Sequence, residues 1–215
     1  RMDIKQIKKV REKISAAKAI SVLTGAGISA DSGVPTFRGI GQASGSASEW
    51  QGRVGIGGAT ALHGPPHLET GLWRNFRAED LATPEAFERD PRLVWEWYNW
   101  RRELIATKQP NPAHHALAEL EKRFDVFALA TQNVDGLHAK AGSRKLIELH
   151  GNIWKVRCTK CGEMTENIDV PIKILPYCNR CSGMLRPHIV WFGEVLYAPD
   201  VLKSARAFES CDLML

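Results

Sequence analysis

The chain has 215 residues, 44% hydrophobic and 25% charged, which supplies a folded core and is too rich in core formers for wholesale disorder. Lys and Arg number 29 against 24 Asp and Glu, a net charge of +5 spread among acids, with no basic stripe and no aromatic-basic groove of the kind that tracks nucleic acid. The longest apolar runs, AISVL and VFALA, fall far short of the ~20 residues a membrane-spanning helix needs, and the opening RMDIKQIKKVREKI is charged throughout. Neither nucleic acid nor membrane is expected as a partner.

Ile4, Ile7, Val10, Ile14 and Ala17 recur at helical spacing among charges, predicting an amphipathic helix over 3–18 that packs on the main sheet. AISVLTGAGISADSG then reads as a buried strand, a glycine turn and a helix start, with Ser29, Asp31 and Ser32 as capping candidates. From Pro35 to Leu72 the chain turns Gly-, Ser- and Ala-rich without a period, a long loop. Residues 84–107 predict one helix dense in aromatics, and 112–123 another, before the strand DVFALAT. The terminal CDLML begins a further strand, and Cys211 beside it is expected to be a buried small hydrophobe. This alternation predicts an α/β fold with a Rossmann-like parallel sheet carrying helices on both faces.

Chemistry concentrates in a few motifs. Gly25, Ala26, Gly27, Ile28, Ser29 and Ala30 satisfy GxGxxG/A directly after an apolar strand: a tight turn, room for backbone to approach a pyrophosphate, and a small residue for helix packing. Asp31, Thr36, Phe37 and Arg38 follow, offering a carboxylate, an aromatic wall and a cation for phosphate. Gln132, Asn133 and Asp135 lie just past the strand DVFALAT, where open α/β sheets place their ligand crevice. His150 sits at another strand end and offers an imidazole suited to proton transfer near neutral pH. Five cysteines include two CxxC pairs, Cys158/Cys161 and Cys178/Cys181, with sixteen residues between them. That spacing is metal arithmetic, and four thiolates with no open position argue for structural zinc over an iron–sulfur centre. It also points to a reducing compartment.

In order along the chain, GAGISADSGVPTFRG, TQNVDGLH, LHGN, the paired CxxC knuckles and RPHIVWFGE resemble the sirtuins, NAD-dependent protein lysine deacylases. The resemblance spans nearly the whole chain. It implies a Rossmann-like domain and a smaller domain with a zinc module, with NAD and acyl-lysine meeting in the cleft between them. It implies that Gly25, Ala26, Gly27, Ser29, Asp31, Thr36, Phe37 and Arg38 hold the dinucleotide, and that Gln132, Asn133 and Asp135 form the nicotinamide and ribose pocket. His150 then matches the catalytic base, acting with Asn133 and Asp135, and the products are nicotinamide, free lysine and O-acyl-ADP-ribose. Val190, Trp191, Phe192, Gly193 and Glu194 match the segment that pairs with the substrate backbone as an added strand.

Within the family, Tyr98 and Arg101 fit the YxxR signature of the branch that removes succinyl, malonyl and glutaryl groups, and Ala78 and Ala82 match the small residues that widen its acyl pocket. Positions i and i+3 share a helix face, so a phenol and a guanidinium can converge on one carboxylate. Deacetylation is expected as a weaker activity. The implied divisions are 1–39 (first part of the Rossmann-like domain), 40–71 (inserted loop), 72–110 (helical layer and acyl pocket), 111–152 (Rossmann-like domain continued), 153–186 (zinc module) and 187–215 (substrate segment and an incomplete Rossmann strand).

Two departures from the family pattern stand out: about thirty extra residues between Gly41 and Leu72, and an end at CDLML where sirtuins continue into further strands of the sheet. They keep two alternatives open, a non-catalytic zinc-stabilised fragment that binds peptides or partners, and a protein ADP-ribosyltransferase using the same pocket. The expected partners are acylated lysine peptides or proteins, the expected state a monomer. The expected location is the cytoplasm, or an organelle such as the mitochondrion if a presequence has been removed.

Overall fold

The computed structural model describes residues 3–34 and 78–215, so the 40–71 insertion and Thr36, Phe37 and Arg38 lie outside the described residues. The chain runs through α1 (Ile4–Ala16), β1 (Ala19–Thr24) and α2 (Ala26–Ala30), then α3 (Ala78–Leu81), α4 (Pro84–Arg89), α5 (Pro91–Ala106) and α6 (Pro112–Glu121). It continues with β2 (Val126–Thr131), α7 (Leu137–Ala141), β3 (Leu146–Glu148), β4 (Gly151–Cys158), β5 (Met164–Glu166), β6 (Leu185–Ile189), α8 (Ala198–Ser210) and β7 (Leu213–Met214).

The first sheet has the order β3-β2-β1-β7 with every neighbouring pair parallel. β1 is buried at five of its six positions, as a strand covered on both faces must be. Its alternation separates the layers. Ile20 and Val22 join Phe127 and Leu129 in a cluster packed by Ile14 and Ala17 from the α1 end and by Leu117 and Leu120 of α6. The intervening Ser21 donates its hydroxyl to the Ala207 carbonyl of α8 at 2.8 Å, on the other face. Helices therefore flank the sheet on both sides, as the alternation of elements predicts. Only the C-terminal end of α1 reaches this core among the described residues; Ile4 is 82% exposed.

The second sheet, order β5-β4-β6, is antiparallel. It packs on α3 to α5 through a separate cluster that includes Leu81, Phe87, Val94, Trp95, Ile153 and Ile189. Arg102 ties the helical layer to this sheet, donating to the carbonyls of Ile153 at 2.6 Å, Asn167 at 2.6 Å and Asp169 at 2.9 Å, with its guanidinium over the Trp154 ring. Burial lowers its pKa to about 10, still cationic at neutral pH.

Three local expectations are corrected. The predicted 84–107 helix is two helices, because Pro91 disfavours helical backbone at Asp90 (φ −150°, ψ 83°), whose carboxylate instead caps α5 by accepting from the Leu93 N–H at 3.0 Å. Ser29, Asp31 and Ser32 do not cap the start of α2, whose N-cap is Gly25 in extended backbone with no side-chain cap; Asp31 stands at its other end, as the C-cap. Cys211 is half-buried at the end of α8, its thiol against the Phe208 carbonyl at 3.3 Å.

Candidate functional site

β1, β2 and β3 all point their C-terminal ends at one cleft, the position a parallel sheet reserves for ligands. Its volume is about 790 Å³. The sheet contributes Ala26, Gly27, Ser29, Gln132, Asn133, Asp135 and His150; the helical layer contributes Ala82, Tyr98 and Arg101; the stretch after β6 contributes Val190 to Glu194. Sequence motifs more than 160 positions apart, Ser29 and Val190, thus share one surface. Asp31 is exposed beyond α2 and does not line the cleft, and Ala78 is half-buried against the helical core outside it.

At the sheet end, hydrogen bonds fix the polar groups. Asn133 Nδ2 donates to the Gly25 carbonyl and to Ser29 Oγ, both at 3.0 Å, stitching the β2 end to the glycine turn. Ser29 Oγ in turn donates to Asp135 Oδ2 at 2.7 Å, while Asp135 Oδ1 accepts the Leu137 N–H at 2.8 Å. The carboxylate is 4% exposed and held at both oxygens. An added Cβ at Gly27 would meet nothing within 4 Å, so the glycine leaves open space where backbone faces the cleft, as close approach of a phosphate ligand requires. Gly136 needs its glycine for two reasons: φ is +77°, and a Cβ would sit 2.8 Å from Trp154 Cδ1.

His150 lies between β3 and β4. Its Nδ1 is 3.0 Å from the Gln132 carbonyl, which can only accept, so Nδ1 carries a proton in this contact and Nε2 is the ring nitrogen left to face other groups. Beneath this rim are two buried histidines that the motif reading left without a role. His138 Nε2 is 2.9 Å from Thr24 Oγ1, which donates to Thr131 Oγ1 at 2.9 Å; the His114 and His138 rings lie 4.8 Å apart, and His114 Nε2 approaches Ser29 Oγ at 3.4 Å. Burial lowers the pKa of both, that of His138 to about 4, so this layer is neutral. The signal was present in part, since His138 closes TQNVDGLH, but nothing in the spacing pairs it with His114 of α6.

The helical wall of the same cleft carries a cation. Tyr98 and Arg101 follow one another by one helical turn on α5 and are 2% and 6% exposed. Burial pushes the Tyr98 phenol up to about 12, so it stays protonated and neutral, and burial lowers Arg101 against the opposing pull of the Asp135 carboxylate. Its guanidinium lies 5.1 Å from the Trp97 ring centre. Trp191 closes this corner, donating Nε1 to Tyr98 Oη at 2.9 Å, with Phe87 5.3 Å away.

The four knuckle cysteines converge away from the cleft. Their sulfurs lie within 4.8 Å of one another, with Cys158–Cys181 at 3.5 Å and Cys161–Cys178 at 3.8 Å. A tetrahedral zinc with Zn–S near 2.3 Å needs S···S edges of about 3.8 Å, so the quartet fits the ion. Backbone N–H groups of Cys161 and Lys160 point at Cys158 and pull its thiol pKa down to about 6, favouring thiolate.

The Sir2 family model matches residues 58–215. An NAD-dependent protein deacylase of Aquifex aeolicus (strain VF5) is 51% identical over 191 residues, 88% of this chain and 66% of that protein. The NAD-dependent protein deacylase sirtuin-5, mitochondrial, of Danio rerio is 41% identical over 232 residues, 95% of this chain and 67% of that protein. A crystal structure of a Sir2 homolog–NAD complex superposes with a TM-score of 0.77 at 41% identity, covering all of this chain and 71% of that one. The chain spans about two thirds of the length of these curated relatives.

Proposed function

The chain belongs to the Sir2 family, and we propose that it acts as an NAD-dependent protein lysine deacylase preferring succinyl, malonyl and glutaryl groups, with weaker deacetylation. The observation that carries the acyl class is the buried Tyr98/Arg101 pair, which lines the same cleft as Asn133, Asp135 and His150. A guanidinium and a protonated phenol on one wall are a carboxylate site. The small Ala82 beside them leaves room for an acyl chain.

On this reading the glycine turn with Gly25, Ala26, Gly27 and Ser29 cradles the dinucleotide, joined by Thr36, Phe37 and Arg38. Gln132, Asn133 and Asp135 orient the nicotinamide and ribose. Bound NAD supplies the ribose carbon that takes the acyl oxygen and the nicotinamide that leaves. His150 accepts the proton of a ribose hydroxyl at Nε2, the nitrogen its carbonyl contact leaves free. Asp135, fixed at both oxygens, holds negative charge beside the ribose without swinging toward the base. The zinc quartet has no open position for a substrate and staples the second sheet.

Acylated lysines on proteins are the proposed substrate. The stretch Val190–Glu194 is its backbone dock, although the N–H groups of Val190, Trp191, Phe192 and Glu194 are already bonded within the chain, which leaves the Gly193 N–H and carbonyls for the peptide. The thiols suit a reducing compartment, the cytoplasm or the mitochondrial matrix. Among the described residues no helix is long and apolar enough to cross a membrane. The test is a peptide assay with NAD and zinc-loaded protein, comparing succinyl-lysine with acetyl-lysine by mass spectrometry. Turnover biased to succinyl is expected; equal turnover removes the acyl preference, and none on either peptide removes the activity.

A further inference from the structure

We propose that Trp191 is a specificity-determining positioning residue, whose indole N–H occupies the Tyr98 oxygen and so commits the phenol proton to a ligand carboxylate in the cleft. The inference rests on the acyl preference proposed above.

Indole nitrogen only donates, so in the 2.9 Å contact between Trp191 Nε1 and Tyr98 Oη the phenol oxygen must accept. The phenol has one proton left, and among the described residues no acceptor takes it. Tyr98 is 2% exposed yet lines the cleft, so among the described residues the outlet for this donor is the cavity itself. A buried donor without a partner is costly, and an acyl carboxylate arriving beside Arg101 would satisfy it. An acetyl group presents nothing at that depth for it to bond.

The indole is held firmly enough to do this. Arg186 lies over the Trp191 ring at 3.4 Å, closer than an ordinary cation–π contact, and forks onto Glu194 with 2.6 and 2.9 Å bonds to its two oxygens. Glu194 Oε2 also accepts the Trp191 backbone N–H at 2.8 Å, so the same carboxylate fixes both the cation and the backbone of the residue it covers. Phe87 packs beside the ring from α4. Clamped in this way, Trp191 has no freedom to turn its N–H away from Tyr98.

The test uses Trp191→Phe, which keeps a ring between Arg186 and Phe87 but removes the donor, alongside Tyr98→Phe and the double variant. The readout is the ratio of kcat/KM for succinyl-lysine over acetyl-lysine peptide. Losing a carboxylate donor in Tyr98→Phe should lower the ratio roughly 10- to 100-fold, and losing the neutral indole bond roughly 3- to 10-fold. The double variant should match Tyr98→Phe alone within about twofold, because the indole acts only through the phenol. An unchanged ratio in Trp191→Phe, or effects that multiply in the double variant, would overturn the inference. A wild-type ratio at or below one overturns the acyl preference itself, a different outcome. The contact is read independently by NMR: of seven tryptophans, the indole resonance lost in Trp191→Phe should move upfield in Tyr98→Phe. If it stays put, the positioning contact is absent.

Discussion

Replacing Arg101 with Met tests the acyl assignment most directly. The guanidinium is 6% exposed, so a carboxylate meeting it does so largely out of water. At about 4 Å and an effective dielectric near 20 the attraction is about 4 kcal/mol, from which desolvation of the incoming carboxylate must be taken. Charged hydrogen bonds measured by substitution are worth about 1.5–3 kcal/mol, which agrees in scale. A net loss of about 2–4 kcal/mol corresponds to roughly 30- to 1,000-fold in kcat/KM for succinyl-lysine peptide. The acetyl peptide carries no charge into this corner, and the methionine stem retains most of the packing against Trp97, so its kcat/KM should change less than about threefold. Steady-state kinetics on both peptides, with zinc content and NAD affinity measured alongside, decide it. An equal fall on both peptides, at unchanged NAD affinity, would refute the reasoning and return Arg101 to a structural role.

His150→Ala should lower kcat by roughly 100- to 10,000-fold while NAD binding, measured calorimetrically, stays within severalfold, since the proton acceptor is lost and the glycine turn is untouched. Acid should destabilise the fold: with His138 held near 4 against ~6.5 unfolded, the unfolded chain binds the proton first as pH falls, and about 3 kcal/mol is lost between pH 6.5 and 4. Urea midpoints across that window should fall steeply in the wild type and less steeply in His138→Asn; equal slopes would remove His138 as the cause. Cys178→Ser or a strong chelator should release one zinc per chain and unfold the second sheet, seen as loss of cooperative thermal unfolding, whereas unchanged unfolding would exclude a structural metal. Gly151→Ala should fail to fold stably, because φ is +80° and the new Cβ would lie 2.1 Å from the His188 carbonyl oxygen.

Much of this was legible because it is local. β1, the glycine turn and β2 follow from a short apolar run ending at GAGIS or TQNVD, and the cysteine quartet follows from spacing alone. The break at Asp90 was readable too, from the Asp-Pro pair, but aromatic periodicity across 84–107 outweighed it. Asp31 and Ala78 each sit within a few residues of groups that line the cleft without being among its lining residues, a difference that motif position does not register. The His114–His138 ring contact and the Trp191–Tyr98 bond could not be read, since each joins elements from separate stretches of sequence, 24 and 93 positions apart. Pairings of that kind are set by tertiary packing, and a period of 2 or 3.6 carries no record of them.

The placement of His150 follows from how little chain separates the two sheets. β3 ends at Glu148 and β4 begins at Gly151, so only Leu149 and His150 make the passage. Leu149 donates its N–H to the Thr131 carbonyl at 3.0 Å, and His150 Nδ1 contacts the next carbonyl along, that of Gln132. The imidazole is therefore registered to the end of β2, the same turn that carries Asn133 and Asp135. From the other side, the Val190 N–H donates to the His150 carbonyl at 3.0 Å and Gly151 pairs with Ile189, so the proposed peptide dock is registered to the same residue. The proposed proton acceptor, ribose pocket and peptide dock are thus set relative to one another by these bonds, all of them between described residues. Shortening the 42–70 insertion should accordingly leave the pH dependence of kcat unchanged and alter KM for NAD. A shifted pH profile would show that the base takes its position from the cofactor loop instead.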